Sequence, residues 1–332
     1  MNILNRLLFW FENRQGYLKL SRYRNENTKF YSVLMYHGVE NDEHKLKFRP
    51  YDLSVNAIKK EIDFFIRQGY QLCSYVDVDD EKLTPRSSLM LTFDDGHRNI
   101  AQTVNYLSSY YQIRPIIAIC PGVVDAQTPF WFEEIYARLL LTKNKNIHPA
   151  CGSTEDPHAA YGQIMDSYHS NNTLKSADML SMIRRATDDV DNEQVNAHAA
   201  VHKNLDWNEL GSLVDQNSCT IAAHTMYHDS VTHMNEDEFE ADVNESKRLI
   251  QKYLNVDCEH FVYPFGHYSN DWESEVLSKC AISFSYIVDN KINTDPENNY
   301  LITRITGKDF TKEPGYYRYL WHQRHANLIT LE

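Results

Sequence analysis

Short apolar runs rich in β-branched residues alternate along this chain with segments whose apolar positions recur every three or four residues. The runs predict buried strands over 32–36, 88–93, 115–120, 219–223, 260–263 and 282–288. Between them, 55–68 carries Ile58, Ile62, Phe65 and Ile66 at helical spacing and stops at Gly69. A second helix is expected over 236–253 from Phe239, Val243, Leu249 and Ile250. Strands and helices in alternation indicate a parallel sheet, either closed as a barrel or open and doubly wound. The stretch from about 142 to 204 is richer in Asn, Asp, Ser, His and Ala and only weakly apolar, which reads as a mainly helical insertion.

Polar residues then gather where the predicted strands end. The first run leads into His37, the second into Asp94-Asp95-Gly96, and the fourth into His224 with His228 four residues on. The turn Tyr263-Pro264-Phe265-Gly266 follows the fifth. In a parallel barrel these C-terminal ends share one face, where active sites are built. Two histidines at i and i+4 with a carboxylate from another strand make a three-ligand set that leaves a metal position open to water. Successive side chains on a strand point to opposite sides, so Asp94 and Asp95 enter one site only if the backbone leaves the strand there; Gly96 permits that turn. Each element alone has a plainer reading: Asp-Asp-Gly as a turn, His-x-x-x-His as a surface or core pair, Tyr36-His37-Gly38 as a strand exit. Their coincidence at parallel strand ends favours a site.

With 332 residues and 42% hydrophobic content the chain can bury a large core, and a net charge of −13 argues against a nucleic-acid partner, since such binding needs cationic groups along the phosphate backbone. Six cysteines without a CxxC pair read as buried thiols. The apolar stretch near the start (Ile3, Leu4, Leu7, Leu8, Trp10, Phe11) is too short to span a bilayer and does not have the form of a signal peptide. It reads as an amphipathic helix within a segment 1–30 that precedes a barrel over 31–332. Contact of residues 1–12 with a membrane surface is the other reading. A cytoplasmic location follows, at the inner face of the membrane if that contact is made.

The motifs resemble those of polysaccharide deacetylases with a NodB-type domain, carbohydrate esterase family four. Thr92-Phe93-Asp94-Asp95-Gly96 and His224-Thr225-Met226-Tyr227-His228 match the family's first two motifs intact. Phe261-Val262-Tyr263-Pro264-Phe265-Gly266 matches the third, with Val262 where the family carries Arg. Leu34-Met35-Tyr36-His37-Gly38-Val39 resembles the branch in which the general-acid His comes from an early strand. No late L-x-H motif is evident, although His322 and His325 lie near the C-terminus.

The resemblance implies a deformed (β/α)7 barrel and a metal-dependent hydrolase that removes N-acetyl or other N-acyl groups from an amino sugar in a polysaccharide or glycan precursor. It implies Asp94 as base, His37 as acid and the Phe265 N–H as oxyanion donor, with Asp95, His224 and His228 holding zinc, or alternatively nickel, cobalt or manganese. Arg304 is the candidate to orient Asp94 in place of the missing Arg, with a rim salt bridge as its structural role. His97 stands where the family has an aromatic residue, altering the pocket floor or adding a weak ligand; His233 reads as packing. Two other functions are set beside this one: a deformylase or deacetylase of a lipid- or nucleotide-linked sugar, and an inactive carbohydrate-binding protein. For the aromatic segment 129–134, core packing is expected of Phe130 and Phe132, with a sugar platform as the alternative.

Overall fold

The structure, a computed structural model, describes residues 31–40, 53–67, 70–75, 88–144, 156–198, 201–269, 272–289 and 301–307. The segment 1–30, with its expected membrane or domain contact, lies outside the described residues, as do Cys151, His322 and His325. Among the described residues no helix is long and apolar enough to cross a membrane.

Ten strands are described: β1 (Tyr31–Tyr36), β2 (Val39–Glu40), β3 (Leu53–Ser54), β4 (Gln71–Leu72), β5 (Ser88–Phe93), β6 (Ile116–Ile119), β7 (Thr220–Ala223), β8 (His260–Val262), β9 (Phe284–Val288) and β10 (Ile302–Thr306). Helices α1 (Val55–Arg67), α2 (Ala101–Tyr111), α3 (Pro121–Ala126), α4 (Trp131–Leu141), α5 (Pro157–His169), α6 (Ser176–Ala186), α7 (Asn192–Ala197), α8 (Trp207–Asp215), α9 (Glu236–Leu254) and α10 (Glu273–Lys279) accompany them. Seven strands close a parallel barrel in the order β1, β5, β6, β7, β8, β9, β10 and back to β1. Closure decides between the two architectures the sequence left open. It rests on β1, which pairs with β5 over its whole length (Leu34 opposite Leu91) and with β10 on its other side (Leu34 opposite Ile305).

The two-residue period of the strands sorts side chains into two sets. Leu34, Leu91, Ile117, Ile221, Phe261 and Ile305 face outward and pack with apolar stripes of the surrounding helices, such as Ile58 and Ile62 of α1 or Phe239 and Val243 of α9. Val33, Met90, Ile116, Ala118, Ala222, Val262, Tyr286 and Ile302 form a separate cluster to which all seven barrel strands contribute, the interior of the barrel. Continuing the inward set toward the strand C-termini reaches His37, Thr92 and Asp94, His224, and Arg304. The pleat alone therefore aims these side chains at one mouth.

β10 was not foreseen as a strand. In Ile302-Thr303-Arg304-Ile305-Thr306 polar residues interrupt any apolar run, because at this level the interior takes a cation rather than a hydrocarbon. Between β6 and β7 the chain inserts α4 to α7. Trp131, Ile135, Leu139, Ile164, Tyr168, Met179 and Ile183 give these helices a small core of their own. Buried Glu134 ties them together, accepting from Arg138 Nε (2.7 Å) and from Arg184 Nε and Nη2 (2.7 and 2.6 Å). Arg138 in turn donates to Val190 O (2.8 Å) and Asn192 Oδ1 (2.6 Å), so that α4, α6 and α7 share one polar network.

At the opposite end, His260 is buried inside the barrel, its Nδ1 3.0 Å from the Tyr286 hydroxyl and its ring against Tyr75 and Phe284. Burial pushes its pKa down to about 3 from 6.5. The folded chain thus holds His260 neutral, and its stability contribution, complete above about pH 6.5, is lost as pH falls toward 3. His260→Gln removes the titration. Between pH 7.5 and 5 the wild type is expected to lose about 2 kcal/mol more unfolding free energy than this variant. Denaturant titrations at both pH values check it, and equal losses would refute it.

Candidate active site

The first motif departs from its strand where two carboxylates must enter one cavity. Asp94 N–H still donates to Tyr36 O (2.8 Å), so Asp94 keeps strand geometry and the inward parity of Thr92. Asp95 then takes φ 72°, the left-handed region that non-glycine residues seldom occupy, and swings its side chain into the same mouth. Gly96 follows at φ 69°, where a Cβ would also stand 3.0 Å from Ile119 Cγ2.

The second motif is a loop built the same way, with Thr225 at φ 54° and His228 at φ 63°. Its backbone is held from several sides. His224 N–H donates to Ile119 O (2.9 Å), Met226 O accepts from Gly122 N–H (3.0 Å), and both oxygens of Asp242 on α9 lie 3.1 Å from Met226 N. Trp131 Nε1–H reaches His228 O (3.3 Å), linking the loop to the inserted helices. Phe265, at φ 58°, adds a third strained position and sets its ring against that of His228 at 4.5 Å.

These turns bring one donor atom each from Asp95, His224 and His228 to within 4.8 Å of one another, all buried. Asp95 Oδ1 lies 3.3 Å from His228 Nε2 and 3.7 Å from His224 Nε2, yet has no hydrogen-bond partner. His224 Nδ1–H donates to Val262 O (2.7 Å), which leaves the Nε2 lone pair directed at Asp95. Burial, with His228 beside it, pushes the His224 pKa down to about 4, so the ring is neutral and fit to ligate. Burial opposes ionisation of Asp95, but contacts from His228 and His97 hold its carboxyl well below the usual carboxylate range. Two imidazole nitrogens around an orphaned anionic oxygen suit a divalent cation.

Asp94 stands beside this group with a different partner. Arg304 Nη1 donates to its Oδ1 at 2.6 Å and to Thr92 Oγ1 at 3.2 Å, and Thr92 donates on to Leu34 O (3.1 Å). Burial works against the Asp94 anion, but the Arg304 charge outweighs it and keeps the carboxyl below its ordinary range. Val262, at the position of the family's Arg, is fully buried in the apolar interior, while the guanidinium arrives from the neighbouring region of the barrel on β10. His37, half-buried, lines the same cleft.

The cleft itself has a volume of about 650 Å³ and includes Asp94, Asp95, His37, His224, His228, Phe265 and Arg304 among its walls. Phe132, Tyr136, Tyr161 and Met165 form an apolar side contributed by the inserted helices. Of the two aromatics expected to pack in the core, Phe130 is fully buried, whereas Phe132 reaches the cleft and meets the His228 ring at 5.0 Å. His233 packs on Tyr168 at 4.3 Å and pairs with Leu174 O (2.9 Å). Glu133 and His202, which no motif singled out, also line the cleft, next to His97.

A parallel seven-stranded barrel carries carboxylates and histidines at its C-terminal mouth, and known proteins share features of this arrangement. Residues 171–283, which include the second motif and the Tyr263–Gly266 turn, match the family described as Polysaccharide deacetylase. The match spans about a third of the chain. No curated protein sequence matches it.

Solved structures share the fold at low identity. A de-N-acetylase from Aggregatibacter actinomycetemcomitans is 14% identical with a TM-score of 0.53, the match covering 87% of this chain and 100% of that one. IcaB from Ammonifex degensii is 13% identical with a TM-score of 0.55, covering 89% of this chain and 97% of that one. Streptococcus pyogenes deacetylase PplD, solved with acetate, is 14% identical with a TM-score of 0.53, covering 84% and 92%. Family and fold together support de-N-acetylation of a sugar.

The buried Asp94–Arg304 pair yields a direct test of its own. Arg304→Met is expected to cost about 3–5 kcal/mol, because it strands a buried carboxylate. Asp94→Asn in the same background should restore much of that loss, with a coupling of at least about 1.5 kcal/mol in a double-mutant cycle read by chemical unfolding. Additive effects would contradict the pairing.

Proposed function

We propose that this protein hydrolyses the N-acyl group, in the first instance N-acetyl, of an amino sugar within a polysaccharide or glycan precursor, using zinc held by Asp95, His224 and His228. The observation that carries the reading is the separation of roles at the mouth. Three buried donor atoms face one point, and a second carboxylate beside them is bound to Arg304 instead.

A divalent cation in such a site supplies Lewis acidity, lowering the pKa of a water and polarising the acyl carbonyl. The chain's own groups do the rest. Asp94, fixed through Oδ1 by Arg304, accepts the proton of the attacking water on its other oxygen. A carboxylate held below its ordinary pKa is a weak base, which is why the water must be made acidic before this residue suffices. The Phe265 N–H, presented by the strained turn, donates to the developing oxyanion. His37, on another wall, delivers a proton to the departing nitrogen, without which an amine anion would have to leave. Phe132, Tyr136 and Tyr161 offer aromatic faces to the sugar ring.

Acetate release from N-acetylglucosamine oligomers and bound zinc should be measured together. Asp94→Asn is expected to lower kcat at least about 10²-fold with zinc retained, and His224→Ala to lose turnover together with the zinc equivalent of this site. Undiminished turnover in Asp94→Asn would remove it as the base; unchanged zinc in His224→Ala would remove it as a ligand. Running a lipid-linked N-acyl sugar beside the oligomers tells polymer from precursor.

A further inference from the structure

The geometry points to a second divalent-cation site, formed by His97, Glu133 and His202 and joined to the first by the Asp95–His97 hydrogen bond. One donor atom from each of these three residues lies within 4.8 Å of the others, and all three are buried, at 2%, 1% and 8% exposure. Two imidazoles and a carboxylate with a coordination position left open form a recognised transition-metal ligand set.

Three separate segments build the cluster. His97 follows the strained Asp95-Gly96 turn, and Glu133 sits in the first turn of α4. His202 belongs to the return from the inserted helices, held alongside the first motif by Arg98 N–H to Lys203 O (2.7 Å) and Leu205 N–H to Gly96 O (2.9 Å). The His97 and His202 rings stack at 3.8 Å, and His202 engages Glu133 both through its backbone N–H (3.2 Å to Oε2) and through Nδ1.

Asp95 divides its oxygens between the two groups. Oδ1 faces His224 and His228, whereas Oδ2 lies 3.1 Å from His97 Nε2. The other ring nitrogen of His97, Nδ1, is buried and has no hydrogen-bond partner. Charge balance leads to the same place. The described residues lining the cleft include three carboxylates, Asp94, Asp95 and Glu133, against one guanidinium, Arg304. Arg304 is bound to Asp94, and no other Lys or Arg is among the described residues lining the cleft.

The test uses the full chain, stripped with chelator and titrated with zinc by calorimetry, with metal content measured after desalting. The wild type is expected to hold two equivalents. The double variant Glu133→Gln/His202→Ala should hold one, and His224→Ala should keep the one the double variant lacks. A wild type that holds one equivalent, lost in His224→Ala and kept in the double variant, overturns the second site and leaves the proposed function standing. Two equivalents in both wild type and double variant also overturn it. A wild type that binds no zinc ends both claims.

Discussion

Negative charge buried at the mouth of a closed barrel is the constraint around which this protein is organised. Asp94, Asp95 and Glu133 are each less than 5% exposed or at that value, where an uncompensated carboxylate is too costly to retain. Arg304 answers one of them. Histidines crowd the others, His224 and His228 on one side and His97 and His202 on the other, and burial holds the His224 ring neutral. Such an environment suits a cation, and in the proposed function a cation there supplies the Lewis acidity for hydrolysis of the acyl amide.

The backbone carries the strain of this arrangement. Asp95, Thr225, His228 and Phe265 all occupy left-handed conformations, each in a motif that turns sharply away from a strand end. Every one of these turns is held by neighbours: the Asp94 N–H to β1, the Met226 N–H to Asp242, the His228 carbonyl to Trp131. The inserted helices are part of that support, not an appendage. They bring Phe132, Glu133 and His202 to the mouth, and the Glu134–Arg138 network fixes the helix that presents the first two.

Much of this was legible from residues alone because strand parity and strand-end chemistry are local signals. The inward series ending in Asp94 and His224 follows from apolar runs and the period of two. The need for a break at Asp94-Asp95 follows from the same period. Arg304 was harder to place, since the strand that holds it has no apolar run; only a barrel interior occupied by an ion pair makes Ile-Thr-Arg-Ile-Thr a core strand. Helix α2 was obscured by Ser, Asn and Tyr on its exposed face. Glu133 and His202 carry no spacing signal at all. Their meeting with His97 depends on two loops distant in sequence pairing through the His97–Asn204 bridge, a fact of the tertiary structure.

The central claim is that Asp95, His224 and His228 surround one cation beside a free carboxylate. Anomalous diffraction at the zinc edge, from crystals of the intact chain grown with zinc, tests it most directly. A peak is expected about 2.0–2.2 Å from Asp95 Oδ1, His224 Nε2 and His228 Nε2 together, with Asp94 still on Arg304. A map in which these side chains are well ordered and no peak lies among them would contradict it.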